Sequence, residues 1–212
     1  MVVGLFGGYL IQRARAEAKV AAPARTAEAL RESRIRDFAS LPDGACVVML
    51  GDSLTAGGPW SELLGMVIAN RGVGGDTAAN VLERLDRSVP PTSRQAFLMV
   101  GINDLTGVES VESIALTIDE IVTRLAPREV VLQSVVLTDR AELNEKVEAL
   151  NRINRARCEK GGCRYLDVNA VLAEGGRIAP ALTVDGVHLQ GEAYARWARL
   201  VASAIEAGPC NP

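Results

Sequence analysis

The sequence predicts an α/β fold, a three-layer sandwich around a five-stranded parallel sheet, and three observations carry that expectation. Short β-branched or apolar runs alternate with amphipathic stretches from about residue 45 to 205, the rhythm of strand and helix in a layered α/β domain. The runs are apolar almost throughout rather than at every second residue, as in strands covered on both faces. Glycines, in company with Ser, Asn, Asp or His, gather in the segments between strand and helix. With 212 residues and 48% hydrophobic content, the chain can fill one such core.

Residues 1–40 read as an N-terminal leader ahead of a domain at 41–212. The apolar run Val2 to Ile11 precedes Arg13, Arg15 and Lys19. It is well short of the roughly 20 residues that span a membrane, and it lacks the basic region and small-residue cleavage site of a signal peptide. Two readings stay open. As the tail of a membrane anchor it would allow membrane association through the N-terminus and place the domain in the cell envelope; as a frayed or docked segment it would suit a cytoplasmic protein equally. Residues 12–40 are rich in Ala, Arg and Glu, and Leu30, Arg34 and Phe38 keep helical spacing before Pro42 and Gly44, which predicts a leader helix.

Strands are predicted at Ala45 to Leu50, Met66 to Asn70, Ala96 to Val100, Val130 to Val136 and Arg164 to Val168. Helices are predicted at Ala78 to Leu85 and Val111 to Leu125. Leu143, Val147, Leu150 and Ile153 mark the inner face of another helix, and Tyr194, Trp197, Val201 and Ile205 that of the last.

Charge and cysteine content exclude several function classes. With 23 basic and 26 acidic residues spread along the chain, net −3, no basic stripe exists for a phosphate backbone, so no nucleic-acid partner is expected. Cys46, Cys158, Cys163 and Cys210 form no CxxC pair, which argues against a zinc ribbon or a thioredoxin-like site. Cys158 and Cys163 flank the turn Glu159-Lys160-Gly161-Gly162; a disulfide there and two reduced thiols are both open.

In open α/β sheets, ligands bind beyond the carboxyl ends of the strands, and the unusual segments lie there. They are Gly51-Asp52-Ser53-Leu54-Thr55, Gly72-Val73-Gly74-Gly75-Asp76, Gly101-Ile102-Asn103-Asp104 and, just before the last helix, Asp185-Gly186-Val187-His188. Together they supply a nucleophile, a donor, an orienter and a base, with glycines that let backbone approach a ligand. A serine hydroxyl needs a neighbouring base, and His188 is the only histidine in the chain. Asp185, three residues earlier, is placed to hold its tautomer.

These blocks, in this order, resemble the GDSL/SGNH hydrolases. Gly51-Asp52-Ser53-Leu54 is similar to the family's first block, with Ser53 as nucleophile. Asn70 to Asp76 resembles the second, and Gly75 then corresponds to the glycine whose N–H enters the oxyanion hole. Gly101-Ile102-Asn103-Asp104 resembles the third, with the Asn103 amide as the other donor, alongside the N–H of Ser53. Asp185 and His188 match the final Asp-x-x-His. The wording is most similar to the branch holding platelet-activating-factor acetylhydrolase catalytic subunits and bacterial acyl esterases. The resemblance implies a flavodoxin-like sheet, no cofactor, and hydrolysis of carboxylic esters with short acyl groups on a small molecule or glycan. Alternatives within it are lysophospholipase or thioesterase activity, or a non-catalytic carbohydrate-binding protein on the same fold.

Other readings fare worse. A dinucleotide site fails because the third glycine of GxGxxG would fall on Thr77. A closed transition-metal site has one histidine and no thiolate cluster to build on, so no metal is expected. The GxSxG elbow of α/β-hydrolases is absent. Asp52, Asp76 and Asp104 are expected to cap or brace loops. Trp60 is either a pocket wall or a core anchor, and Arg140 is expected to be solvated.

Overall fold

The computed structural model describes residues 26–41 and 44–206; the apolar run Val2 to Ile11 and its anchor reading lie outside them. The chain divides into two units, Met1–Ser40 and Leu41–Pro212. In the first, residues 26–38 form the leader helix, α1. Leu30 lies exposed on it while Ile35 and Phe38 are buried, and the Arg34 guanidinium stacks over the Phe38 ring. Among the described residues, no helix is long and apolar enough to cross a membrane.

In the second unit, β1 (Val47–Gly51), β2 (Ile68–Gly72), β3 (Gln95–Met99), β4 (Glu129–Gln133) and β5 (Arg164–Leu166) form one parallel sheet in the order β2-β1-β3-β4-β5. Alternate side chains divide the core. Val48, Leu50 and Leu98 face one layer, with Ile114, Ile118 and Ile121 of α7 (Val111–Leu125) and Val147 and Leu150 of α8 (Ala141–Glu159). Val47, Met49 and Phe97 face the other, with Trp60 of α3 (Trp60–Leu64) and Tyr194, Trp197 and Val201 of α10 (Gly191–Ala204). A period of two along the strands thus feeds two helical layers. The three-layer, all-parallel α/β architecture read from the sequence is the one found.

Trp60 is a core anchor: its ring meets Trp197 edge-on at 4.8 Å, and its Nε1 donates to the Thr55 carbonyl. The remaining elements are short: α2 (Ser53–Ala56), α4 (Ala78–Glu83), α5 (Leu85–Ser88), α6 (Ile102–Leu105), α9 (Asn169–Leu172) and the hairpin β6 (Ala173–Glu174) and β7 (Arg177–Ile178).

Several boundaries differ from the sequence expectation for identifiable reasons. β4 stops at Gln133 because Asn151 captures both the N–H and the carbonyl of Val135, and Asn169 accepts from the N–H of Leu137. β5 stops early because the N–H of Val168 donates to Ser134 Oγ. The helix expected at 78–85 breaks at Arg84. On α8, Ile153 is 37% exposed and the inner face is completed by Asn144, Asn154 and Cys158; Asn144 hydrogen-bonds the N–H, hydroxyl and carbonyl of Thr138. Ile205 lies beyond α10 rather than on it. Cys158 and Cys163 are joined as a disulfide across their turn, and Cys46 is disulfide-bonded as well.

Candidate active site

All five strands end on the same edge, and the four unusual segments converge there. Ser53 opens α2 directly after β1, with Asp52 capping that short helix through the N–H of Leu54. Across the edge, Ser53 Oγ lies 3.2 Å from His188 Nε2, and His188 Nδ1 lies 2.7 Å from Asp185 Oδ2. With Asp185 accepting from Nδ1–H, Nε2 is left as the acceptor for the serine hydroxyl.

The turn that carries this pair is self-braced. Asp185 Oδ1 accepts from the N–H groups of Val187 and His188, at 3.0 and 2.7 Å. Thr183 Oγ accepts from the N–H of Gly186 and donates to the His188 carbonyl. The N–H of His188, the imidazole and the N–H of Val187 hold the Asp185 carboxyl well below the usual carboxylate range, so it is ionised wherever the imidazole acts as a base.

The proposed oxyanion donors come from three loops. Among the described residues, the N–H groups of Ser53 and Gly75 donate to no protein acceptor, whereas their neighbours Val73 and Asp76 donate to Gly51 and Val73. Gly75 takes φ +80, a left-handed conformation that side-chain-bearing residues rarely adopt. Gly74 passes close to Ser53: a Cβ on it would stand 3.9 Å from the serine Cβ. The Asn103 amide spends one N–H on the Asp76 carbonyl at 2.9 Å and keeps a second.

The three aspartates expected to brace loops do so. Asp104 accepts from the N–H of Ala78 through both oxygens, at 3.0 Å. Asp76 is fully buried against Arg84. Asp52 is also fully buried; burial, helped by the charges of Asp76 and Asp104 and opposed by the Leu54 N–H, pushes its carboxyl up to about 7. Burial raises Asp104 as well, against the Ala78 N–H. Arg140 is exposed, with the Asp139 carboxylate 4.0 Å away.

Two contributors were not read from the sequence. Tyr194 donates its hydroxyl to the Leu54 carbonyl at 3.0 Å, holding α2 from the α10 side. Arg84 is buried under the loops and donates to Asp76, Ser88 Oγ and the Gly51 carbonyl. Neither leaves a local signature, since each acts on a segment distant in sequence. No group of three or more His, Cys, Asp or Glu that could hold a metal ion occurs among the described residues. A cavity of about 820 Å³ between α9 and α10 contains none of the converging residues, which lie on the open edge of the sheet.

The model of the GDSL-like lipase/acylhydrolase family matches residues 49–196. An N-acylneuraminate cytidylyltransferase of Streptococcus agalactiae serotype V is 28% identical over 153 residues, covering 70% of this chain and 36% of that protein. The chain therefore spans about a third of the length of that relative. Among solved structures, a Streptococcus pneumonia protein whose description names platelet activating factor superposes with TM-score 0.79 at 20% identity, over 89% of this chain and 98% of that one. A GDSL-like lipase from Bacteroides thetaiotaomicron gives 0.70 at 20%, over 82% and 96%. An acetylxylan esterase from Geobacillus stearothermophilus gives 0.66 at 16%, over 77% and 94%. At these identities the structural likeness is one of fold.

Proposed function

The chain belongs to the GDSL-like lipase/acylhydrolase family, and from that premise we propose that it hydrolyses carboxylic esters of short acyl groups by a serine mechanism. The observation that carries this reading is the chain of contacts from Ser53 through His188 to Asp185, at 3.2 and 2.7 Å.

His188 Nε2 takes the hydroxyl proton as Ser53 Oγ bonds to the acyl carbon, and the carbonyl electrons move onto oxygen. The N–H groups of Ser53 and Gly75 and the free N–H of Asn103 receive that oxyanion. Collapse breaks the bond to the alcohol, which leaves with the proton held by His188. Water then repeats the sequence on the acyl-enzyme, releasing the acid and restoring Ser53. Four side chains, those of Ser53, His188, Asp185 and Asn103, and the backbone suffice, so no cofactor or metal enters the scheme.

A short acyl group is favoured by the openness of the site. The side chains of His188 and Asp185 are 51% and 53% exposed, and an acyl chain gains about 0.8 kcal/mol only for each CH2 it buries. A sugar hydroxyl as leaving alcohol is supported by two similar proteins whose names concern sugars, an acetylxylan esterase and an N-acylneuraminate enzyme.

The test is hydrolysis of p-nitrophenyl esters from acetate to palmitate, and of acetylated sugars, by wild type beside Ser53→Ala. Turnover confined to wild type and greatest on acetyl esters is expected. Equal activity in both proteins would remove Ser53 from the mechanism, and a preference for palmitate would replace the short-acyl reading with a lipase-like one.

A further inference from the structure

The three oxyanion donors sit on three different loops, after β1, β2 and β3, and an oxyanion hole works only if its donors meet at one point. Parallel pairing aligns the strand ends, with Gly51 opposite Gly72 and Met99, but the loops beyond them need ties of their own. One side chain supplies them. Arg84, at the junction of α4 and α5 and 1% exposed, sends Nε to the Asp76 carboxylate at 2.5 Å, one terminal nitrogen to Ser88 Oγ at 3.0 Å and the other to the Gly51 carbonyl at 3.1 Å. Gly51 is two residues from Ser53, Asp76 directly follows Gly75, and the Asp76 carbonyl accepts from the Asn103 amide.

We propose that Arg84 is a positioning residue of the oxyanion hole, its planar guanidinium fixing the donors of Ser53, Gly75 and Asn103 in one register. A structural role alone explains the arrangement poorly. A buried ion pair gives little net stability over apolar residues of the same volume, whereas a rigid fork that joins the end of β1 to the loop after β2, whose Asp76 carbonyl in turn holds Asn103, defines geometry that apolar packing would leave loose. Lysine is no substitute, because a single ammonium cannot hold the carboxylate and the Gly51 carbonyl in a fixed plane. The inference rests on the ester-hydrolase reading.

The test is Arg84→Lys in the full chain, beside wild type and Ser53→Ala. A serine-directed fluorophosphonate both counts competent sites by its end point and reports donor alignment by its rate, since attack at phosphorus builds the same oxyanion. Per competent serine, kcat and labelling rate should fall about 100-fold, with KM within about twofold. On an Asn103→Ala background the same substitution should cost only a few-fold, because aligned donors act as a unit. A merely structural role would lower the melting temperature and the number of competent serines while leaving kcat per serine intact. That result overturns the assignment; should Arg84→Lys not fold, wild-type kcat per competent serine in Arg84→Gln, whose amide has no planar fork to hold Asp76 and the Gly51 carbonyl together, overturns it equally. Wild-type activity in Ser53→Ala would instead sink the hydrolase reading itself.

Discussion

Asp139 and Gly186 meet where the loop after β4 touches the turn that carries the histidine. The N–H of Asp139 donates to the Gly186 carbonyl at 2.9 Å, and the Asp139 carboxylate fills the space a side chain at 186 would need, 2.1 Å from an ideal Cβ. Gly186 also holds φ +87. His188, the proposed general base, is therefore seated on a second loop through a glycine that admits no Cβ. Gly186→Ala should push the turn off Asp139 and move His188 from Ser53. A displacement on the order of 1 Å typically costs about 100-fold in rate, so kcat/KM should fall by about that factor. Measuring kcat/KM beside urea denaturation decides the point: lost stability with intact kcat/KM would leave the contact a role in the fold only.

The ionisation of the acid and base predicts a pH profile. Asp185 is depressed by its hydrogen bonds with the His188 N–H, the imidazole and the Val187 N–H. Its contribution is present above the ordinary carboxylate value and is lost only as pH falls through the depressed one. The acid limb of kcat/KM therefore belongs to a group other than Asp185, and with an imidazole as the proposed base activity should rise with pH. A profile flat from acid to alkaline pH would contradict imidazole catalysis.

What the sequence reveals here is what is encoded locally. The five strands appear as mostly apolar runs, and Ser53, Asn103, Asp185 and His188 stand in glycine-marked segments between strand and helix. The parallel sheet brings segments 51–55, 72–76 and 101–104 to one edge, and the 185–188 turn is seated there against the loop after β4. The parts that escaped are tertiary. Nothing near Arg84 announces a reach to Gly51, 33 residues away, and Asn144 takes a place on the inner face of α8 because its amide serves the buried backbone of Thr138. Likewise the ends of β4 and β5 are set by Asn151, Asn169 and Ser134, which a propensity reading treats as neighbours of a strand rather than its terminators.

The disulfide between Cys158 and Cys163 closes a short loop where α8 passes into β5, at the amino end of the strand and so opposite the edge that carries the proposed site. Constraining so short a loop contributes about 2 kcal/mol in the chain-entropy picture. The double variant Cys158→Ser, Cys163→Ser should lose about that much in denaturant unfolding and keep wild-type kcat/KM. A fall in kcat/KM without loss of stability would tie the turn to the active site.

Asp52 gives the last prediction, because burial has raised its carboxyl from 3.8 to about 7. In the unfolded chain the group releases its proton near the ordinary carboxylate value, while the folded protein retains it up to about 7. Between those values the native state binds the extra proton, so stability declines as pH rises through the window and levels off above it. At about 1.4 kcal/mol per unit the decline is at most roughly 4 kcal/mol. Asp52→Asn keeps an oxygen for the Leu54 N–H and removes the titration. The variant should match wild type near pH 4 and gain on it steadily toward pH 7, in urea unfolding followed across that range. Parallel curves for the two proteins would mean that Asp52 is already ionised in the fold, and that its buried charge finds compensation beyond the Leu54 N–H.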